Sequence, residues 1–327
     1  LIKGLGAKSN ATCQDHKRVH RPVCRDAGRA GAAGVPVGDE AMDGLRFERL
    51  GAHARQHVAD VDQSAELVMR AAEKGVDVLA ITDHDTVAGL AAAGQAITTL
   101  QLPLKLIHGV EISTSWQQLE IHIVGLNINP ECPQFLARLA TQQQARLARA
   151  EEMARRLEKS QIPDVLPAVL KLANGAALTR THFARHLVSI GKASTMDGVF
   201  KKYLGRGKIG YVPNNWVEMS EAIAWIHDAG GVAVLAHPLK YKLTTKWVKR
   251  LAEQFAASGG DAIEVISPQQ TPVQKRELWA LCQLHGLTAS VGSDFHQATT
   301  WNDIGKNLYL TDDVLPVWAN WPLQATA

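Results

Sequence analysis

The chain has 327 residues, 46% hydrophobic and 20% charged, the composition of an ordinary globular protein with room for one large domain or a domain carrying an insertion. Its net charge of +3 resides in the first 50 residues, where nine Lys/Arg face six Asp/Glu; beyond them 26 of each remain, which excludes the broad basic stripe of a duplex-DNA binder and leaves room for a small nucleic-acid partner. No apolar run approaches the roughly 20 residues that span a bilayer, and four cysteines without CxxC spacing or a preceding leader argue against a disulfide framework and for a cytoplasmic protein with no membrane role.

Residues 1–43 show neither the helical nor the strand period and are rich in Gly, Ala and Arg, so they are expected to be a disordered or non-native leader. From Ser64 the pattern changes. SAELVMRAAEKG places Leu67, Val68, Ala71 and Ala72 on one helical face and stops at Gly75. VDVLAI then suits a strand buried on both faces, followed by the helix TVAGLAAAGQAITTL and the strands LKLIHGVEIS and LEIHIVGLNI. Residues 130–209 read as purely helical, from QFLARLATQQQARLARAEEMARRLEKS through THFARHLVSIG to TMDGVFKKYLG, an inserted subdomain between barrel parts at 44–129 and 210–327. Three helix-then-strand units close the chain: SEAIAWIHDAGG into VAVLAHP, TTKWVKRLAEQFAASGG into AIEVISP, and TPVQKRELWALCQLHG into LTASVGSDFH. Such repetition predicts an α/β fold with a parallel sheet or barrel.

Parallel α/β folds bind ligands at the carboxyl ends of their strands. There this chain places Asp83, His84 and Asp85, then Glu111, His122, His237, Asp294 and His296. Singly, each has an ordinary structural role: Asp85 can cap the next helix, and a histidine inside an apolar strand is commonly a hydrogen-bonded core residue. Together they are costly to bury at one barrel mouth without a positive charge. Imidazole with carboxylate, and no cysteine, suits catalytic zinc, manganese or iron rather than a structural zinc cluster.

In order, TDHDT, GVEIS, HIVG, AHP and GSDFH around a helical insertion resemble the PHP (polymerase and histidinol phosphatase) family of phosphoesterases. The likeness runs from about 64 to 310, and ELVMRAAEKGVDVLAITDHDTVAGL resembles the branch acting on nucleoside 3',5'-bisphosphates and on short RNA from its 5' end. The resemblance implies a distorted (β/α)7 barrel with up to three divalent ions at its mouth, manganese first, with zinc or iron as alternatives. It implies a first centre of His53, Glu111, Asp294 and a second histidine; a second of Glu111, His122 and His237; and a third of Asp60, His84 and His296. The family's first strand ends in D-L-H-x-H-S, where this chain has GAHARQ. Arg55 stands at the second histidine, and a guanidinium repels a dication rather than ligating it. Two explanations stand: a natural variant with a weakened first centre, or residues up to about 63 translated from another reading frame.

Clustered dications suit phosphate ester hydrolysis by metal-bound hydroxide and need no protein nucleophile. Ser113 and Ser293 sit in no Gly-x-Ser-x-Gly elbow. Phosphates remote from the metals need cations: LTRTHFARH offers Arg180, His182, Arg185 and His186, and YLGRGKIGYVP offers Arg206 and Lys208, each of which could equally be a solvated helix face. His108, His227 and His285 read as structural. Without an aromatic-and-basic run for a long strand, the expected substrate is a nucleotide or short RNA, with no obligate protein partner. A histidinol-phosphate-type phosphatase and a catalytically impaired nucleotide- or metal-binding protein are the alternatives, the second because of Arg55.

Overall fold

The computed structural model describes residues 50–54, 61–175, 177–296, 303–311 and 313–321, with backbone alone for 50–54 and 61–63. Short apolar runs become buried strands and the amphipathic segments between them become helices. In chain order, β1 (Leu50–Ala54), α1 (Val61–Glu73), β2 (Val78–Ile81) and α2 (Ala88–Thr99) lead to β3 (Lys105–Trp116) and β4 (Leu119–Leu126). After a helical stretch come β5 (Val217–Glu218), α7 (Met219–Asp228), β6 (Val232–Leu235), α8 (Thr245–Ala257), β7 (Ala262–Ile266), α9 (Pro272–His285) and β8 (Thr288–Val291). The main path of the sheet is β1-β2-β3-β4-β6-β7-β8, with β5 paired to β3.

All pairings are parallel except those of β4, which runs antiparallel to both β3 and β6. Strands β1 and β8, at the two ends of the path, come into contact, so the sheet curls on itself as a mixed α/β barrel. Between β3 and β4 the chain reverses in a two-residue hairpin in which Gln117 and Gln118 both take positive φ, 48° and 64°, the backbone a tight turn between twisted strands needs. Between the successive parallel strands a helix returns the chain to the same end of the sheet. Helix α9 shows how the sequence marks such a unit: Thr271 and Gln274 form a reciprocal capping box, Pro272 opens the helix, and Gly286 ends it at φ 67°. Gly109 has a steric reason. A Cβ there would lie 2.6 Å from Thr82 Cγ2 and 2.8 Å from the Ile81 carbonyl, so only glycine lets β2 and β3 approach where the acidic and histidine residues follow.

Between β4 and β5 the chain is helical: α3 (Pro133–Glu158), α4 (Val165–Ala173), α5 (Arg180–Ser189), α6 (Met196–Val199) and a π-helical turn at Phe200–Leu204. The first half of α3 packs on the barrel core through Phe135 and Leu139. Its second half joins Phe183, Leu187, Val199 and Leu204 in a separate apolar cluster. No helix among the described residues is long and apolar enough to cross a membrane. Cys282 is a buried free thiol.

Candidate metal centre and anion pocket

Glu111 lies at the middle of the site. Strand β2 is prolonged beyond Ile81, so that His84 and Glu111 form a parallel bridge, with the Glu111 amide donating to the Asp83 carbonyl at 3.0 Å and the Asp85 amide to the Glu111 carbonyl at 2.9 Å. Register fixes the next member: Ser113 faces His122 across β3 and β4, and Glu111 faces Val124, so Glu111 and His122 are diagonal neighbours on one face. His237 follows β6 at the strained φ of 29°, its amide donating to buried Glu264 at 3.3 Å. The Tyr241 hydroxyl donates to the Ala236 carbonyl and accepts from the His122 amide, both at 2.9 Å, and so ties the ends of β4 and β6 together.

These constraints bring three imidazoles onto one fully buried carboxylate. His122 Nδ1 lies 2.7 Å from Glu111 Oε1, His237 Nε2 3.3 Å from the same oxygen, and His84 Nδ1 3.6 Å from Oε2. One ligating atom each from His84, Glu111 and His122 falls within 4.8 Å of the others, the grouping a single cation needs. The donor set fits such an ion. His122 Nδ1 is buried and faces the Glu111 carboxylate. Burial works against charge on this ring, but attraction to Glu111 and Glu120 outweighs it and holds the His122 pKa at about 9. A bound dication would occupy the lone pair that the proton otherwise takes.

Asp294 and His296 lie beside one another after β8. Asp294 has φ 47° and a tight ion pair with Lys240, and His296 Nδ1 lies 3.6 Å from Asp294 Oδ1. His53 belongs to β1, aligned with Ala80, while its side chain, with Arg55 and Asp60, lies outside the described residues.

Above His84 and His122 opens a cavity of about 350 Å³, also lined by His296, Ser113, Glu120, Phe200 and four arginines: Arg146, Arg149, Arg180 and Arg185. The first two come from α3, one turn apart, and both stack on Trp216, at 4.6 and 5.3 Å. Arg180 and Arg185 come from α5 with His182 and Thr181, and Thr179 lines the cavity just before it. Burial, and then the nearby Arg185, Arg146 and His296, push His182 down to about 4. Its Nδ1 accepts from the Thr179 amide at 3.1 Å in the helix cap. Burial also lowers the Arg149 pKa, against the pull of Glu120. Glu120 is the lone carboxylate among the lining residues. Burial opposes its charge, but His122 first, then Arg180 and Arg149, hold it well below the usual carboxylate range.

The structure thus gathers His84, Glu111, His122 and His237 in one cluster, and Arg180, His182 and His296 around the adjoining cavity. Arg206 and Lys208 are exposed and do not line it; His186 is buried on α5 and does not either. Asp85 caps no helix: α2 has Val87 at its cap position without a side-chain bond, and the Asp85 carboxylate instead receives Arg146 and the Ser113 amide. Sequence reasoning passed over Arg146, Arg149 and Glu120. A weak signal existed for Glu120, which shares a strand face with His122 two residues on.

Comparison with known proteins agrees with this geometry. A PHP domain matches residues 57–232. The 5'-3' exoribonuclease Rnm of Salmonella typhimurium is 52% identical over 255 residues, 78% of this chain and 87% of that protein. A 3',5'-nucleoside bisphosphate phosphatase of Chromobacterium violaceum is 39% identical over 253 residues, covering 77% and 87%. Among solved structures, an amidohydrolase from Chromobacterium violaceum with bound sulfate superposes with TM-score 0.73 at 37% identity, covering 82% of this chain and 93% of that one. A candidate metal-dependent phosphoesterase from Bifidobacterium adolescentis gives 0.65 at 26% identity, with the same coverage.

Proposed function

The chain belongs to the PHP family of phosphoesterases, and on that premise we propose that it removes the 3'-phosphate of nucleoside 3',5'-bisphosphates and trims short RNA from its 5' end. One observation carries the substrate class: four arginines surround a cavity that also contains His84 and His122. A substrate with one phosphoryl group at the histidines and another a few ångströms away satisfies both ends. A phosphomonoester with a cationic tail leaves the arginines facing like charge.

His84, Glu111, His122 and His237 would hold one divalent ion, and Asp294 and His296, with His53 and Asp60, would complete the set the sequence motifs imply. Manganese is the ion of choice. Bound there, such ions supply Lewis acidity, which lowers the pKa of water and neutralises charge on the phosphoryl oxygens. The remaining work falls to this chain's side chains. Arg149, Arg180 and Arg185 bind the remote phosphate by charge-assisted hydrogen bonds. Phe200, with the Arg180 guanidinium 5.8 Å from its ring centre, offers an apolar face to a base. A cavity of about 350 Å³ suits one nucleotide rather than a polymer.

The test is turnover by manganese-loaded protein of adenosine 3',5'-bisphosphate, a short 5'-phosphorylated RNA and histidinol phosphate. Hydrolysis of the first two is expected; preference for the third overturns the proposal. Turnover of none by folded, metal-loaded protein would instead support a nucleotide-binding role, the reading favoured by Arg55 in place of a ligating histidine.

A further inference from the structure

We propose that Glu120 is a positioning residue that fixes the proton of His122 on Nε2, so that Nδ1 is presented to the metal; this rests on the phosphoesterase reading above. A carboxylate lining a cavity meant for phosphate is an electrostatic cost: like charges 4 Å apart repel by about 4 kcal/mol at an effective dielectric near 20. Its presence among the arginines therefore calls for a compensating role. The two carboxylate oxygens of Glu120 face different partners. Oε1 lies 3.8 Å from His122 Nε2, an ion-pair separation longer than a hydrogen bond, and Oε2 accepts from the Arg180 guanidinium at 3.3 Å.

His122 is thereby held between two carboxylates, with Nδ1 toward Glu111 at 2.7 Å and Nε2 toward Glu120. An imidazole ligating through Nδ1 must carry its proton on Nε2, the atom that faces Glu120. A carboxylate facing the far N–H of a ligating histidine favours that tautomer and ring orientation by charge, and a small shift of the side chain brings it within hydrogen-bond reach. Arg180, in turn, anchors the other oxygen of the Glu120 carboxylate. The strand enforces the pairing, since residues two apart on β4 project to the same side.

The experiment combines calorimetric titration of manganese with ¹⁵N–¹H histidine spectra of the zinc-loaded full chain, for the wild type, Glu120→Gln and Glu120→Asp. Gln keeps the volume and removes the charge; Asp keeps the charge and withdraws it by one methylene. Both variants are expected to bind manganese about 10- to 100-fold more weakly, and the His122 Nε2–H signal is expected to weaken or give way to mixed tautomers. Unchanged affinity and tautomer in Glu120→Gln would overturn the assignment. So would wild-type behaviour of Glu120→Asp beside a weakened Glu120→Gln, because charge alone would then suffice. A wild-type chain that binds metal yet hydrolyses no bisphosphate sinks the functional reading, while the titration and spectra still decide the role of Glu120.

Discussion

Asp85 and Arg146 form a buried ion pair that joins the loop after β2 to the middle of α3. Arg146 Nε donates to Asp85 Oδ2 at 3.1 Å, and the same guanidinium reaches the Leu178 carbonyl at 3.0 Å and the Ser113 hydroxyl at 2.6 Å. One cation therefore holds the helical stretch against the sheet and lines the cavity. Asp85 sits at φ 54°, which asparagine tolerates and alanine does not. Asp85→Asn accordingly isolates the charge. Leaving one member of a buried pair alone costs about 3–5 kcal/mol, and the amide oxygen still accepts one bond, so the expected loss is about 3 kcal/mol. Urea denaturation of this variant against wild type checks it, and a loss under about 1 kcal/mol would show that the pair contributes little.

The Glu111 cluster predicts linkage between metal and stability. Manganese at 100 times its Kd should raise the unfolding free energy by about 2.7 kcal/mol. In Glu111→Gln the increment should vanish, because a neutral amide among three imidazoles compensates no dication. Thermal melts with and without chelator read this without any substrate. The same chelator should abolish phosphatase activity in the wild type, and manganese should restore it. Activity that persists through exhaustive chelation would contradict the metal centre.

Part of this cluster was legible in the sequence: His84 and His237 follow the carboxyl ends of β2 and β6, whereas Glu111 lies midway along β3 and His122 in the first half of β4, whose antiparallel course brings its amino end to the same side. The pocket above it was not. Arg146 and Arg149 lie in QARLARAEEM, a pattern that reads as the solvated side of a long amphipathic helix, whereas in the fold both guanidiniums pack on Trp216 and Arg146 pairs with buried Asp85. Arg206, flanked by glycines, had the local marks of a phosphate loop yet is exposed and does not line the cavity. Local sequence reports backbone conformation. Which cations converge depends on how α3 and α5 cross, and no short motif encodes that.

The arginine cavity predicts a split between binding and chemistry. Arg180→Ala removes a charge-assisted contact worth about 1.5–3 kcal/mol and also bares Glu120 to the incoming phosphate. KM for adenosine 3',5'-bisphosphate should rise about 10- to 100-fold, with a much smaller change for adenosine 3'-phosphate, which lacks the second group. Arg206→Ala, at an exposed position outside the cavity, should change KM less than about 2-fold. Equal effects of the two substitutions on both substrates would remove the case for Arg180 as a phosphate ligand. Initial-rate kinetics at saturating manganese distinguish these outcomes.

His182 predicts an acid-side weakening of the metal-free fold. Its pKa is pushed down to about 4, by burial first and then by Arg185, Arg146 and His296. The unfolded chain, with a histidine pKa near 6.5, thus takes up a proton that the folded chain refuses. Stability from this group is therefore complete above about pH 6.5 and is lost as pH falls toward 4, by roughly 2–3 kcal/mol in all. His182 also occupies the third helical position of a capping box with Thr179, where glutamine is an ordinary occupant and does not titrate. His182→Gln should therefore keep the cap while flattening the slope of stability against pH between 6.5 and 4. Urea midpoints across that interval, wild type against variant, measure the difference; parallel slopes would mean that the buried ring is protonated as readily in the fold as in the unfolded chain.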